Sequence, residues 1–256
     1  PDDPKAEVPS YRNIRFLAID SDPGSMGKWE ETGALDWNTE VLDISGPDSD
    51  ALWANLPAIR QLPFMQWLSP GLKPMGSVGT GGVRQMGRLL LFQRCPQFIQ
   101  KLTDLITSVR AGLSHSAGLC IRLFAGMGGG TGSGIFLDVC YLVQYVLETL
   151  GLQDKAQTCG YFFLPDVNLA KVQIPYVQEF VNRNGFAAMQ ELDYCMDLGA
   201  NGGFWDQDYG NGVKIHTQTP PVKLAHLISA RNSDDPVSKD AYYHALYTGV
   251  ERVMMY

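Results

Sequence analysis

Along this chain, short apolar runs rich in β-branched and aromatic residues alternate with longer segments whose apolar positions recur every three or four residues. The first pattern fits strands and the second helices. A polar start leads into a predicted strand over Ile14 to Ile19, ending at Asp20-Ser21-Asp22-Pro23. From Gly24 to about Asp50 the chain is rich in Gly, Asp and Glu and reads as loop and irregular structure; a proline-punctuated stretch then runs to Gly71. A glycine loop, Gly76 to Gly82, feeds a predicted helix over Val83 to Phe92, and another helix runs from Pro96 to about Ala111. Next come a strand from Leu119 to Ala125, a glycine run, and a long apolar helix from Ile135 to Leu150. A strand over Thr158 to Leu164 and a helix over Tyr176 to Leu198 follow, then a turn-rich loop or hairpin from Asn201 to Gly212. A strand from Lys223 to Ala230 precedes a final helix from Ser238 to the end, with Ser238 and Asp240 placed as caps. Strands alternating with helices predict an α/β fold, a mostly parallel sheet with helices on both faces in three layers.

Composition narrows the function classes. With 256 residues and 45% hydrophobic content, the chain buries a core as one large domain or two small ones. A charged fraction of 18% excludes a disordered or coiled-coil protein. The net charge of −7 argues against nucleic acid or an anionic membrane as the main partner. The five cysteines show no metal-knuckle spacing, and Cys120, Cys140 and Cys159 fall in apolar elements, as expected of free thiols in a reducing compartment. The apolar runs fall short of a membrane span, and Pro1-Asp2-Asp3-Pro4 is no signal peptide, so a cytoplasmic location is expected. The four histidines are scattered and suggest neither a zinc site nor a triad.

The candidate chemistry lies in Gly126-Met127-Gly128-Gly129-Gly130-Thr131-Gly132-Ser133-Gly134. So many glycines let a backbone approach an anion and aim several N–H groups at it, and the following helix adds its positive dipole end. Thr131 and Ser133 supply hydroxyls without bulk. A Walker A loop needs a lysine that is absent here, and a strict G-x-G-x-x-G dinucleotide fingerprint does not fit these glycines. A flexible linker is the bland alternative, and it seldom sits tightly between an apolar strand and an apolar helix. The second loop, Gly79-Thr80-Gly81-Gly82, reads equally as a ligand loop or as a tight turn entering a helix. Asp20 and Asp22 suit a Mg²⁺ site, which takes one or two carboxylates plus phosphates, and equally suit a turn before Pro23. Asp138 is expected in the first turn of the cradle helix, in a capping role. Arg84 and Arg88 are candidate phosphate or interface cations, or plain surface arginines.

Gly128 to Gly134 matches the G-G-G-T-G-S-G signature of the tubulin/FtsZ superfamily of GTP-binding proteins, and further segments follow in that family's order. Ile19-Asp20-Ser21-Asp22 resembles the loop whose acidic side chains help hold the nucleotide's magnesium. Gly79-Thr80-Gly81-Gly82-Val83-Arg84-Gln85-Met86-Gly87-Arg88 resembles the γ-phosphate loop, with Thr80 where FtsZ-type members have alanine. Phe162-Phe163-Leu164-Pro165 is similar to the strand leading to the ribose-side loop. Arg183-Asn184-Gly185-Phe186-Ala187-Ala188 resembles the start of the helix whose asparagine contacts guanine, although the family usually has Asn-Ala there. His226 to Asn232 is similar to the next strand and its base-side exit, which implies a contact from Asn232. Tyr242 or Tyr243 is a candidate for stacking on the base, with core packing as the plainer role. In wording, Val83 to Arg88 and Glu191 to Tyr194 look most like the large bacterial tubulin-like proteins.

The resemblance implies one GTP-binding domain over residues 1–256, with GTP or GDP and Mg²⁺ at the carboxyl ends of the strands and subunits associating head to tail into filaments. It also implies that the family's first strand and glycine loop, and everything past the start of the central helix, lie outside this sequence. The loop carrying the catalytic acid is among those parts, so GTP hydrolysis depends on them. The alternative expectation is a non-polymerising, GTP-sensing module of a larger scaffold.

Overall fold

A computed structural model describes residues 13–229, apart from 34, 46–48, 73–78, 115, 170–171 and 173. The predicted helix from Ser238, and with it Asn232 and Tyr242, lies outside the described residues.

Three parallel strands form the main sheet in the order β3 (Leu119–Gly126), β4 (Ala156–Phe163), β7 (Leu224–Ile228). β4 is central and, apart from Gln157, almost wholly buried, which is why its second half, Cys159 to Phe163, is continuously apolar and not alternating. Two more parallel strands, β1 (Ala18–Asp20) and β2 (Val41–Asp43), pair with each other. The loop-or-hairpin segment is an antiparallel hairpin of β5 (Trp205–Asp208) and β6 (Lys214–Thr217). The mostly parallel α/β architecture is therefore as the alternation of patterns predicts.

Helices α5 (Thr131–Thr149) and α7 (Pro175–Met196) flank the main sheet. Phe162 meets Phe136 edge-on at 5.2 Å, within a cluster completed by Ala188, Leu192 and Cys195 of α7. A larger cluster joins α5 to α4 (Arg84–Ala111), with Leu89, Leu91, Phe98, Tyr141 and Leu142 at its centre. Among the described residues no helix is long and apolar enough to cross a membrane.

Several local expectations change. The strand forms only at Ala18–Asp20 and not from Ile14. The stretch read as irregular holds α1 (Pro23–Thr32), α2 (Trp37–Glu40) and β2. Asp22 starts α1 as a cap: its Oδ1 accepts the Gly24 N–H at 3.0 Å, and Pro23 takes the first helical position, where its missing donor costs nothing. The proline-punctuated stretch contains α3 (Ser49–Ile59) with Pro57 inside it. The two helices predicted on either side of Pro96 are one 28-residue helix, because buried Phe92, Cys95, Phe98 and Leu102 anchor both sides of the proline. A short α6 (Pro165–Leu169), not foreseen in the sequence, leads into α7.

Candidate functional site

Three loops meet where the strands end. β3 delivers Gly126 opposite Phe163, and the Met127 N–H continues the pairing to the Phe163 carbonyl at 2.9 Å. The chain then turns through Gly128, Gly129 and Gly130 into α5. The Gly134 N–H bonds to the Gly130 carbonyl at 3.2 Å, so the donors ahead of it belong to the first turn, where a helix supplies no acceptor.

The second loop passes Gly79, Gly81 and Gly82, all at positive φ (+61°, +56° and +81°), and starts α4 at Arg84. The two helix starts are in backbone contact. A Cβ on Gly130 would collide with the Thr80 hydroxyl and lie 2.6 Å from the Gly82 carbonyl carbon and 2.7 Å from the Val83 nitrogen; one on Gly134 would strike the Arg84 carbonyl. Two positive dipole ends are thereby brought to one place. The third loop follows β1: the Ser21 hydroxyl is 2.6 Å from that of Thr131, which in turn is 3.4 Å from that of Thr80. Ser133 is wholly buried, and its Oγ has no hydrogen-bond partner among the described residues.

Side chains brace this junction. Arg84 donates to the Ser133 carbonyl through Nε (3.1 Å) and Nη2 (2.9 Å) and pairs with Glu191 of α7. Asn184 donates its amide to the carbonyls of Gly82, Gly128 and Gly129. It is not at a helix start, as the resemblance implied, but is the tenth residue of α7 and is buried. Asp138 is likewise not in the first turn of α5; its carboxylate receives Arg88 and the Tyr209 hydroxyl. Arg84 and Arg88 are thus committed to internal partners and are not surface cations.

The two predicted metal carboxylates differ. Burial raises the Asp20 pKa, against the opposing effect of the Ser21 and Asp22 N–H groups on its Oδ1. Asp22 is half-buried, and the Ser25 hydroxyl at 2.8 Å, with the Gly24 N–H, holds it below the usual carboxylate range. Asp22 is therefore occupied as the cap of α1, with its Cβ 3.8 Å from where a Cβ on Gly79 would stand, while Asp20 ends β1 next to the Ser21 that reaches Thr131. Among the described residues no cluster of three or more metal-ligating side chains occurs.

Residues 6–249 match the sequence model of a family described as tubulin-like. The chain belongs to the tubulin-like family. The match spans all three loops of this tubulin-like protein and both strands that deliver them, β1 and β3. No curated protein matches the sequence. The braces on the tubulin-like glycine loops escape sequence reading, because Arg84 and Glu191 lie 107 residues apart and no spacing rule links them.

Proposed function

We propose that this tubulin-like chain binds GTP and GDP with Mg²⁺ at the junction of its three loops. The observation that carries the reading is the backbone contact between the α4 and α5 starts, which brings the positive ends of two helices together and so supports an anionic ligand there. A single phosphate needs one such end; a polyphosphate uses two. The unpaired Ser133 hydroxyl fits this as well, since a buried hydroxyl without a partner costs about 1–3 kcal/mol that a phosphate oxygen offsets.

In this reading the backbone N–H groups of Gly126 and Gly128 to Ser133 hold the α- and β-phosphates, with Thr131 and Ser133 adding hydroxyls, while Gly134, its N–H spent on Gly130, lets α4 lie against α5. Gly79, Thr80, Gly81 and Gly82 face the γ-phosphate. Mg²⁺ neutralises phosphate charge, and Asp20 is the carboxylate to hold it, with Asp22 a cap first. Asn232 and Tyr242 are proposed on the base side, and guanine over adenine rests on the family resemblance. Family membership also supports head-to-tail association, with this chain supplying the binding half of a site that a neighbouring subunit completes.

The test is displacement of a fluorescent GTP analogue, in Mg²⁺, by GTP, GDP, ATP and NAD. Displacement by guanine nucleotides alone supports the proposal, and competition by ATP or NAD overturns it. Sedimentation with and without GTP then separates a filament protein from a GTP-sensing module that does not assemble.

A further inference from the structure

The Asn184 amide nitrogen lies 2.8 Å from the Gly82 carbonyl, 3.1 Å from that of Gly128 and 3.2 Å from that of Gly129. Three carbonyl oxygens around one amide atom fix that atom as nitrogen, because an amide oxygen there would face three acceptors. Gly82 belongs to the loop that starts α4, and Gly128 and Gly129 to the loop that starts α5. One buried side chain therefore fastens both loops at once. Its neighbour makes that reach possible. A Cβ on Gly185 would overlap the Pro165 ring, with Cδ at 2.7 Å, so glycine lets α7 lie against the start of α6. This accounts for Asn-Gly here where the family usually has Asn-Ala.

We infer that Asn184 is a positioning residue that holds the two glycine loops at one separation, so that both helix ends address the same polyphosphate. The inference rests on the phosphate-binding reading given above. It gives Asn184 a role besides any contact with the base: its amide hydrogens are committed to loop carbonyls, and only Oδ1 is left to accept from a ligand. Loss of the lock therefore weakens every ligand that spans both loops, whatever base it carries.

The experiment compares Asn184→Asp with the parent chain. Asp keeps the shape but turns a carboxylate oxygen toward three carbonyls. A fluorescent GTP analogue is competed by GTP, by ITP, which lacks the guanine 2-amino group, and by inorganic tripolyphosphate. The expected result is a loss of affinity by one common factor, about 10- to 100-fold, for all three competitors. A loss confined to GTP makes Asn184 a base reader and overturns the inference, as do unchanged affinities.

Should Asn184→Asp fail to fold, Asn184→Ser carries the test through amide hydrogen exchange. Peptides covering Gly81–Val83 and Gly128–Gly130 are expected to gain exchange together, by about tenfold, because one lock serves both loops. Unchanged protection in either peptide overturns the lock. A parent chain that binds none of the three ligands sinks the GTP reading, and the exchange experiment still decides the role of Asn184.

Discussion

Arg88 grips Asp138 through both carboxylate oxygens, Nε to Oδ2 at 2.9 Å and Nη2 to Oδ1 at 3.0 Å, one helical turn beyond the point where α4 and α5 touch. The Tyr209 hydroxyl donates to the same Oδ1 at 2.9 Å, Gln207 accepts from Arg88, and the guanidinium lies 4.5 Å over the Trp67 ring. Burial works against the Arg88 charge, and the adjacent Asp138 carboxylate more than restores it, so the guanidinium pKa lies above its ordinary value. Asp138→Ala leaves that charge without its partner and is expected to cost about 3–5 kcal/mol in urea unfolding. Arg88→Met combined with Asp138→Leu is expected to cost far less, since no charge is left behind. Equal losses in the single and double variants would contradict the assignment.

Two adjacent glycines are expected to separate packing from ligand binding. A side chain on Gly130 meets Thr80, Gly82 and Val83, whereas one on Gly129 meets nothing within 4 Å. Gly130→Ala should push the helix starts apart and lower stability by about 1–3 kcal/mol, taking ligand affinity with it. Gly129→Ala should melt like the parent chain, so any loss of nucleotide affinity reports a ligand lying over that glycine. Thermal melts alongside the displacement assay check both, and a destabilised Gly129→Ala would show that the open space is occupied by the protein itself.

What the sequence made legible was local. β3, the glycine run and α5 are contiguous, so the change from strand to helix periodicity and the glycines between them could be read directly. The pieces that faced away from the local pattern were hidden. α1 begins with a capping Asp22 and Pro23 at its first position, a start signal lost in a stretch whose composition suggests loop. Asn184 reaches carbonyls 102, 56 and 55 residues away, and Arg88 pairs across 50 residues. Such pairings exist only once the helices are packed, and no periodicity encodes them.

Thiol chemistry should single out one cysteine. Cys120 is exposed and the other four are buried. Burial pushes Cys95 up to about 12 and Cys195 up to about 11, and raises Cys140 and Cys159 as well. At pH 8 a disulfide reagent is expected to label one thiol quickly in the native chain, and Cys120→Ser should remove that phase. The linkage sign follows from the raised values. The folded state holds these protons more tightly than the unfolded state, so the stabilisation is full below the ordinary 9.0 and is lost as pH climbs toward 11 to 12. Thermal midpoints should fall above about pH 9 for this reason. Rapid labelling of several thiols at pH 8 would contradict the burial of α5 and α7.

Pro96 is the last point at which sequence rule and fold disagree. It sits exposed inside α4 and has no N–H to offer the Phe92 carbonyl one turn back. The buried face on either side carries the helix across the break, so the cost is borne by packing and not avoided. Pro96→Ala restores the missing bond at an exposed position. Proline costs about 3 kcal/mol relative to alanine in a helix interior, and the freer unfolded chain of the variant returns part of that difference. The expected gain is about 1–3 kcal/mol, or a midpoint higher by about 3–8 °C. Ligand affinity should stay unchanged, because about 18 Å of helix separates Pro96 from the start of α4 at Arg84. A lower midpoint would mean that the chain bends at Cys95-Pro96 and needs the bend, making the segment two helices after all. A higher midpoint with weakened binding would mean that the tension at Pro96 is transmitted along α4 to the glycine loops.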